Sequence, residues 1–281
     1  MPKAQVISLV QMKGGVGKTT VTVNLASYLA KEHGKRVLLV DFDPQTNTTL
    51  SLVSEDRWRA WEQEHGTMAD VLEVEHKRKG AETVKLADCI MKDVNPELPG
   101  LHLIPSHLKL TFLDLDLAAR PGRERIFARK LEKVLADYDV ILCDCPPNLM
   151  IGTQNALYAS DWYLVPMQPD FLSSIGLSLL QDRMTYLRKH LEFSLRWLGV
   201  VFSRVRRHIN FHQETMDRLQ SAKAFKKLYF FKSVIPDNIK LGEAPMAAQP
   251  INLYDASATG ADAFAALAKE FVTRLEKKPG A

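Results

Sequence analysis

The chain has 281 residues, 46% of them hydrophobic and 25% charged, with 37 basic against 33 acidic side chains. That composition excludes a disordered or fibrous polypeptide and suits one large α/β domain, while a net charge of +4 says little until its distribution is known. The opening run MPKAQVISLV is unlike a secretory signal, no apolar stretch approaches the roughly 18 residues of a membrane span, and Cys89, Cys143 and Cys145 lack disulfide-like spacing, which together point to a reducing cytoplasm.

The first predicted strand runs from Gln5 to Val10 and ends in a glycine-rich turn. A helix follows over Lys18–Lys31, with Val21, Leu25, Tyr28 and Leu29 at helical spacing. Gly34 closes it, and Arg36–Val40 is a continuous apolar run, the pattern of a parallel strand buried on both faces. Residues 51–100 alternate charged, helix-like stretches with Pro96 and Pro99 and read as a variable surface excursion. Strands are then expected near 101–105, 139–144, 162–167 and 196–203, alternating with helices near 123–137, 152–159 and 174–190. Such alternation predicts an α/β fold, a doubly wound, mainly parallel sheet with helices on both faces and ligand chemistry at the strands' carboxyl ends. No repeat or low-complexity linker interrupts it, so residues 1–281 read as a single domain.

The turn after the first strand is Lys13-Gly14-Gly15-Val16-Gly17-Lys18-Thr19-Thr20, the strand-to-helix setting of a phosphate loop. Glycines without Cβ let successive N–H groups converge on phosphate oxygens, and the helix N-terminus adds partial positive charge. Lys18 is placed to reach the β- and γ-phosphates and the Thr19 hydroxyl to ligate Mg²⁺, so Gly14, Gly15, Val16, Gly17, Lys18, Thr19 and Thr20 are the candidate ATP-binding residues of a P-loop NTPase. Asp41-Phe42-Asp43-Pro44-Gln45 follows the second strand. Alternation points Asp41 and Asp43 to one side, and one of them is expected to serve the metal while the other orients the attacking water. VILCDCPP ends an apolar strand in Asp144, which suits a carboxylate acting on Mg²⁺ through water. Cys143 and Cys145 are expected to face opposite ways and to be buried as small apolar residues with no metal between them.

The loop departs from the strict phosphate-loop pattern on its amino-terminal side, where Lys13 stands. In this respect KGGVGKTT resembles the deviant Walker A motif of the ParA/MinD family of ATPases. The resemblance implies that Lys13 reaches the nucleotide of a second copy across a sandwich dimer formed on ATP binding. It also implies that DFDPQ is the family's second acidic motif, with Asp43 activating water and Asp41 on the metal side. The stretches YLVPMQPDFLSSIGLSLL, RRHINFHQET and SVIPDNIKLGEAP onward are similar to chromosomal and plasmid ParA (Soj-type) proteins, so the likeness spans nearly all the chain outside 51–100. It implies that Pro236 and Asn238 lie near the adenine, whereas Asp237 stands where relatives often carry arginine. With the first strand starting near residue 5, extra amino-terminal DNA-binding helices and operator-specific repression are not expected.

Between residues 181 and 240 thirteen basic residues face five acidic ones, which leaves the rest of the chain four charges negative. That segregation is the footprint of a phosphate-backbone binder without base readout. The family likeness implies that ATP-bound dimers bind nucleoid DNA non-specifically, with Arg206, Arg207, Lys223, Lys226, Lys227 and Lys240 as candidate contacts. It further implies slow hydrolysis stimulated by a ParB-like or other adaptor protein. Two alternatives use the same loop. A MinD-like membrane-cycling ATPase needs a terminal amphipathic helix, but the stripe Phe264, Leu267, Phe271 and Leu275 is expected to pack on the domain, so no stable membrane association is expected. An ATP-dependent amidoligase or carboxylase is disfavoured by the basic carboxyl-terminal half.

Overall fold

A computed structural model of the chain describes residues 3–74, 84–92, 94–206 and 208–277. Among these, six strands build one sheet: β1 (Gln5–Leu9), β2 (Val37–Asp41), β3 (Leu101–Ile104), β4 (Val140–Asp144), β5 (Trp162–Met167) and β6 (Arg196–Phe202). Their order is β3-β2-β4-β1-β5-β6 with every pairing parallel. The chain winds outward from β1 to β2 and β3, then returns through β4 to β5 and β6. The reversal therefore lies between β1 and β4, where an open α/β sheet leaves a crevice at its carboxyl end.

The helices are α1 (Lys18–Lys31), α2 (Asn47–Leu50), α3 (Glu55–Glu64), α4 (Met68–Val71), α5 (Leu113–Asp116) and α6 (Ile126–Leu131). They continue as α7 (Ile151–Ala159), α8 (Ser173–Leu191), α9 (Asn210–Ser221), α10 (Ile239–Glu243), α11 (Ile251–Tyr254) and α12 (Thr259–Glu276). The period-2 alternation of each strand sorts its side chains between two cores. Ile7, Leu9, Leu39 and Leu142 pack with Val21, Leu25 and Leu29 of α1 and with Phe264, Leu267 and Phe271 of α12. Val6, Leu38, Val40, Ile141 and Cys143 pack on the other face with α6, α7 and α8. The α12 stripe is thus used inside the molecule, with Phe264, Leu267 and Phe271 fully buried.

Three expectations are corrected. The helix expected over 123–137 is broken into a 3-10 turn at Arg123–Arg125, α6, and a second 3-10 turn at Leu135–Asp137. The 51–100 stretch is not merely a surface excursion: Trp58, Met68, Val71, Leu72 and Met91 are buried, and Met91 bridges to Leu103 of β3. Its charged composition hid an apolar residue every few positions, enough to anchor a short helical segment; residues 75–83 and 93 lie outside the described residues. Finally, Cys143 and Cys145 do not face opposite ways. They are two residues apart along an extended chain, share a face, and sit in the same apolar cluster.

Candidate functional site

Leu9 leads into the glycine-rich loop, in which Gly15 and Gly17 take φ of +74° and +84°, values strained for any residue with a Cβ. Gly17 precedes α1 and no side chain caps that helix, so its first-turn N–H groups remain available to an anion. The loop is braced by the segment after β6. Ser203 Oγ donates to the Val16 carbonyl at 2.6 Å and Arg204 Nη1 to the Gly15 carbonyl at 2.8 Å.

Asp144 ends β4, in register with Leu9 on one side and Asp41 on the other. Because Leu142 faces α1, Asp144 two residues on faces it too. Its Oδ2 accepts from the Thr19 hydroxyl at 2.8 Å and the Thr48 hydroxyl at 2.6 Å, and its Oδ1 accepts from Thr22 at 3.1 Å and Lys18 Nζ at 3.4 Å. Burial alone would lower the Lys18 pKa, but the charges of Asp144 and Asp43 prevail and hold it above its ordinary 10.5, so Lys18 is a cation.

Asp41 is fully buried and accepts from the Thr49 N–H (2.9 Å), the Thr49 hydroxyl (2.7 Å) and the Asp43 N–H (3.1 Å). Burial, with the Asp144 charge beside it, pushes its pKa up to about 8. Asp43 reaches the cavity; its Oδ1 accepts from the Gln45 N–H at 2.9 Å, and burial, aided by Asp144, raises its pKa against the opposing Gln45 N–H and Lys18. Ser106, on the loop after β3, locks this turn: its hydroxyl donates to the Asp43 carbonyl at 2.6 Å and its N–H to the Thr49 hydroxyl at 2.9 Å.

A cavity of about 490 Å³ opens above these groups. Lys13, Gly14, Gly15, Val16, Gly17, Lys18, Thr19, Thr20, Asp43, Pro236 and Asn238 all border it, whereas Asp41 and Asp144 lie beneath its floor. The Asn238 side chain is engaged at both ends, accepting from the Lys240 N–H and donating to Thr259, each at 2.8 Å. Lys13 is half exposed and forms an ion pair with Asp170, on the loop after β5. Among the described residues no group of three or more His, Cys, Asp or Glu converges to hold a metal. Mg²⁺ keeps several waters and takes one or two protein ligands alongside phosphate, so Thr19 and Asp144, hydrogen-bonded at 2.8 Å, are the residues that would hold it here.

The basic candidates are dispersed. Arg206 Nε pairs with Asp237 at 2.7 Å, which holds that carboxyl below the ordinary range, and Lys240 pairs with Glu243 at 2.9 Å. Lys223, Lys226 and Lys227 are exposed around a 3-10 turn after α9, and Arg207 lies outside the described residues. Thr48, Thr49, Ser106, Ser203 and Arg204 were not anticipated. Ser106, Ser203 and Arg204 arrive from distant segments and carry no local signal, whereas Thr48 and Thr49 lie just after the DFDPQ motif, and Thr22, four residues after Lys18, stands on the helical face that a spacing argument covers.

A family model described as an AAA domain matches residues 4–197. The sporulation initiation inhibitor protein Soj of Bacillus subtilis is 36% identical over 95% of this chain and 97% of its own. The chromosome partitioning protein ParA of Caulobacter vibrioides is 33% identical over 96% and 94%. Among solved structures, cobyrinic acid a,c-diamide synthase of Mycobacterium smegmatis, crystallised with an ATP analogue and magnesium, superposes with a TM-score of 0.77 at 25% identity, covering 98% of this chain and 97% of that one.

Proposed function

We infer that this chain, which belongs to the ParA/MinD family of ATPases, binds ATP with Mg²⁺ above the end of β1, closes on it as a dimer, and in that state binds DNA without sequence preference. One observation carries the reading: Lys18, Thr19 and Asp43 meet at one end of a cavity cradled by left-handed glycines, with Asp144 directly beneath. Thr19 and Asp144 would hold Mg²⁺, with Asp41 behind them; the ion neutralises charge on the β- and γ-phosphates when bound.

The chain's own groups do the rest. Backbone N–H groups from Gly14 to Thr20 bind phosphate oxygens, and the Lys18 cation offsets negative charge as it grows at the γ-phosphate. Asp43 orients the attacking water from the cavity wall, and its raised pKa suits it to accept a proton. Pro236 and Asn238 flank the base. Lys13 exchanges Asp170 for the nucleotide of a second copy. Arg206, Arg207, Lys223, Lys226, Lys227 and Lys240 supply the DNA-facing charge, and an adaptor protein stimulates release. A membrane-cycling reading gains nothing from α12, whose apolar stripe is buried; no helix of the described residues is long and apolar enough to cross a membrane.

Light scattering with a non-hydrolysable ATP analogue tests this. The parent chain should double in mass and sediment with DNA, and Lys13→Ala should do neither while still binding the analogue. A parent that stays monomeric at saturation overturns the dimer.

A further inference from the structure

Arg204 plays no part in that scheme, yet it stands two residues beyond β6 at φ +52°, a left-handed conformation that costs a long side chain free energy and that clusters at ligand clamps. The backbone around it is imposed from outside. The Val205 N–H donates to the Ile235 carbonyl and the Asp237 N–H to the Val205 carbonyl, each at 3.0 Å, so the segment is laddered against 235–237 and cannot relax. The side chain then runs along the phosphate loop. Its Cγ lies 3.4 Å from where a Cβ on Gly17 would sit, and its Nη1 donates to the Gly15 carbonyl at 2.8 Å. Its Nε is 3.5 Å from Asp237 Oδ1, a long contact beside the 2.7 Å pair that Asp237 makes with Arg206.

The guanidinium therefore sits between the Gly15 carbonyl and Asp237, on a side chain that borders the cavity and is 48% exposed. Its present partners are one carbonyl and one shared carboxylate. A phosphate chain offers the planar fork two charged oxygens in place of these.

We propose that Arg204 is a further nucleotide-binding residue, a cation that turns from the Gly15 carbonyl and Asp237 onto the phosphates of the bound nucleotide. This rests on the ATP reading above. The left-handed backbone is what aims the side chain along the loop instead of away from it.

Calorimetric titration of the full chain with ATP, ADP and adenosine in the presence of Mg²⁺ tests it on three variants. Arg204→Gly removes both the cation and the backbone strain, Arg204→Met keeps the packing against Gly17, and Arg204→Lys keeps a charge. ATP and ADP affinity should fall about tenfold in the Gly and Met variants and less in the Lys variant, with adenosine unaffected. Arg204→Gly should melt no lower than the parent, because glycine adopts this φ freely. ATP affinity within twofold of the parent in both the Gly and Met variants overturns the assignment, as does an equal loss for adenosine. A parent that binds no ATP removes the nucleotide reading as well, whereas a binding parent with indifferent variants removes Arg204 alone.

Discussion

Asp43 and Asp144 differ in what their surroundings permit. Asp144 is saturated by three hydroxyls and Lys18, while Asp43 has one backbone donor on its Oδ1 and faces the cavity. Asp43→Ala is expected to leave ATP binding within about threefold and to lower turnover by about 100-fold or more, measured as phosphate release at saturating ATP. Normal turnover in that variant would assign the water to another group. Asp237 is the other informative single residue, since it neutralises Arg206 among the DNA candidates. Asp237→Asn should release that cation, raise DNA affinity about threefold, and steepen the log–log salt slope by about 0.9. The pair is half exposed, so its removal should barely change stability.

The β6 edge of the sheet is covered by the segment after α9. The segment 229–231 runs beside β6, with Phe231 N–H donating to the Val200 carbonyl at 2.8 Å, and Gly199 is required there because a Cβ would come within 2.6 Å of the Phe231 ring. Glu270 of α12 holds this segment and the two residues after it. It accepts from the Tyr229 hydroxyl (2.7 Å), the Lys232 N–H (2.8 Å), the Ser233 N–H (2.9 Å) and the Ser233 hydroxyl (2.7 Å). Burial works to raise its pKa, but these donors outweigh it and hold the carboxyl below its ordinary 4.5. A carboxyl depressed on folding adds stability that is present above pH 4.5 and lost as pH falls through its lower folded value. Glu270→Gln should therefore cost about 2 kcal/mol at pH 7 in urea unfolding and should flatten the acid side of the stability profile. An unchanged acid profile would place that sensitivity elsewhere.

At the scale of the whole molecule, three of the DNA-candidate lysines come from a segment that does not line the nucleotide cavity. The groups proposed to bind phosphate lie at the carboxyl end of the central strands, while Lys223, Lys226 and Lys227 project from the turn after α9. Replacing those three lysines together by Gln should lower the DNA salt slope by about 0.9 for each DNA phosphate left without its lysine, and should leave basal ATP hydrolysis intact. A slope equal to the parent's would move the DNA surface away from this turn.

How much of this was legible beforehand follows from range. The six strands, the phosphate loop and the three acidic positions were readable because each signal is local: apolar runs of strand length, glycines ahead of Lys18-Thr19, and aspartates at strand ends. The break of the expected 123–137 helix was hidden because its helical periodicity persists across the 3-10 turns. The burial of Trp58 and Met68 was hidden because charge dominates the composition around them. Strand order, by contrast, is a property of crossovers, and it alone sets Asp41 against Asp144, brings Ser203 and Arg204 to a loop up to 189 residues distant, and brings Ser106 to the Asp43 turn. By itself the sequence determined which groups could carry the chemistry, since residue type and spacing along a strand or helix decide that. Only the tertiary structure decided which of them meet, because contacts between distant segments depend on how the sheet winds, and no local pattern encodes that.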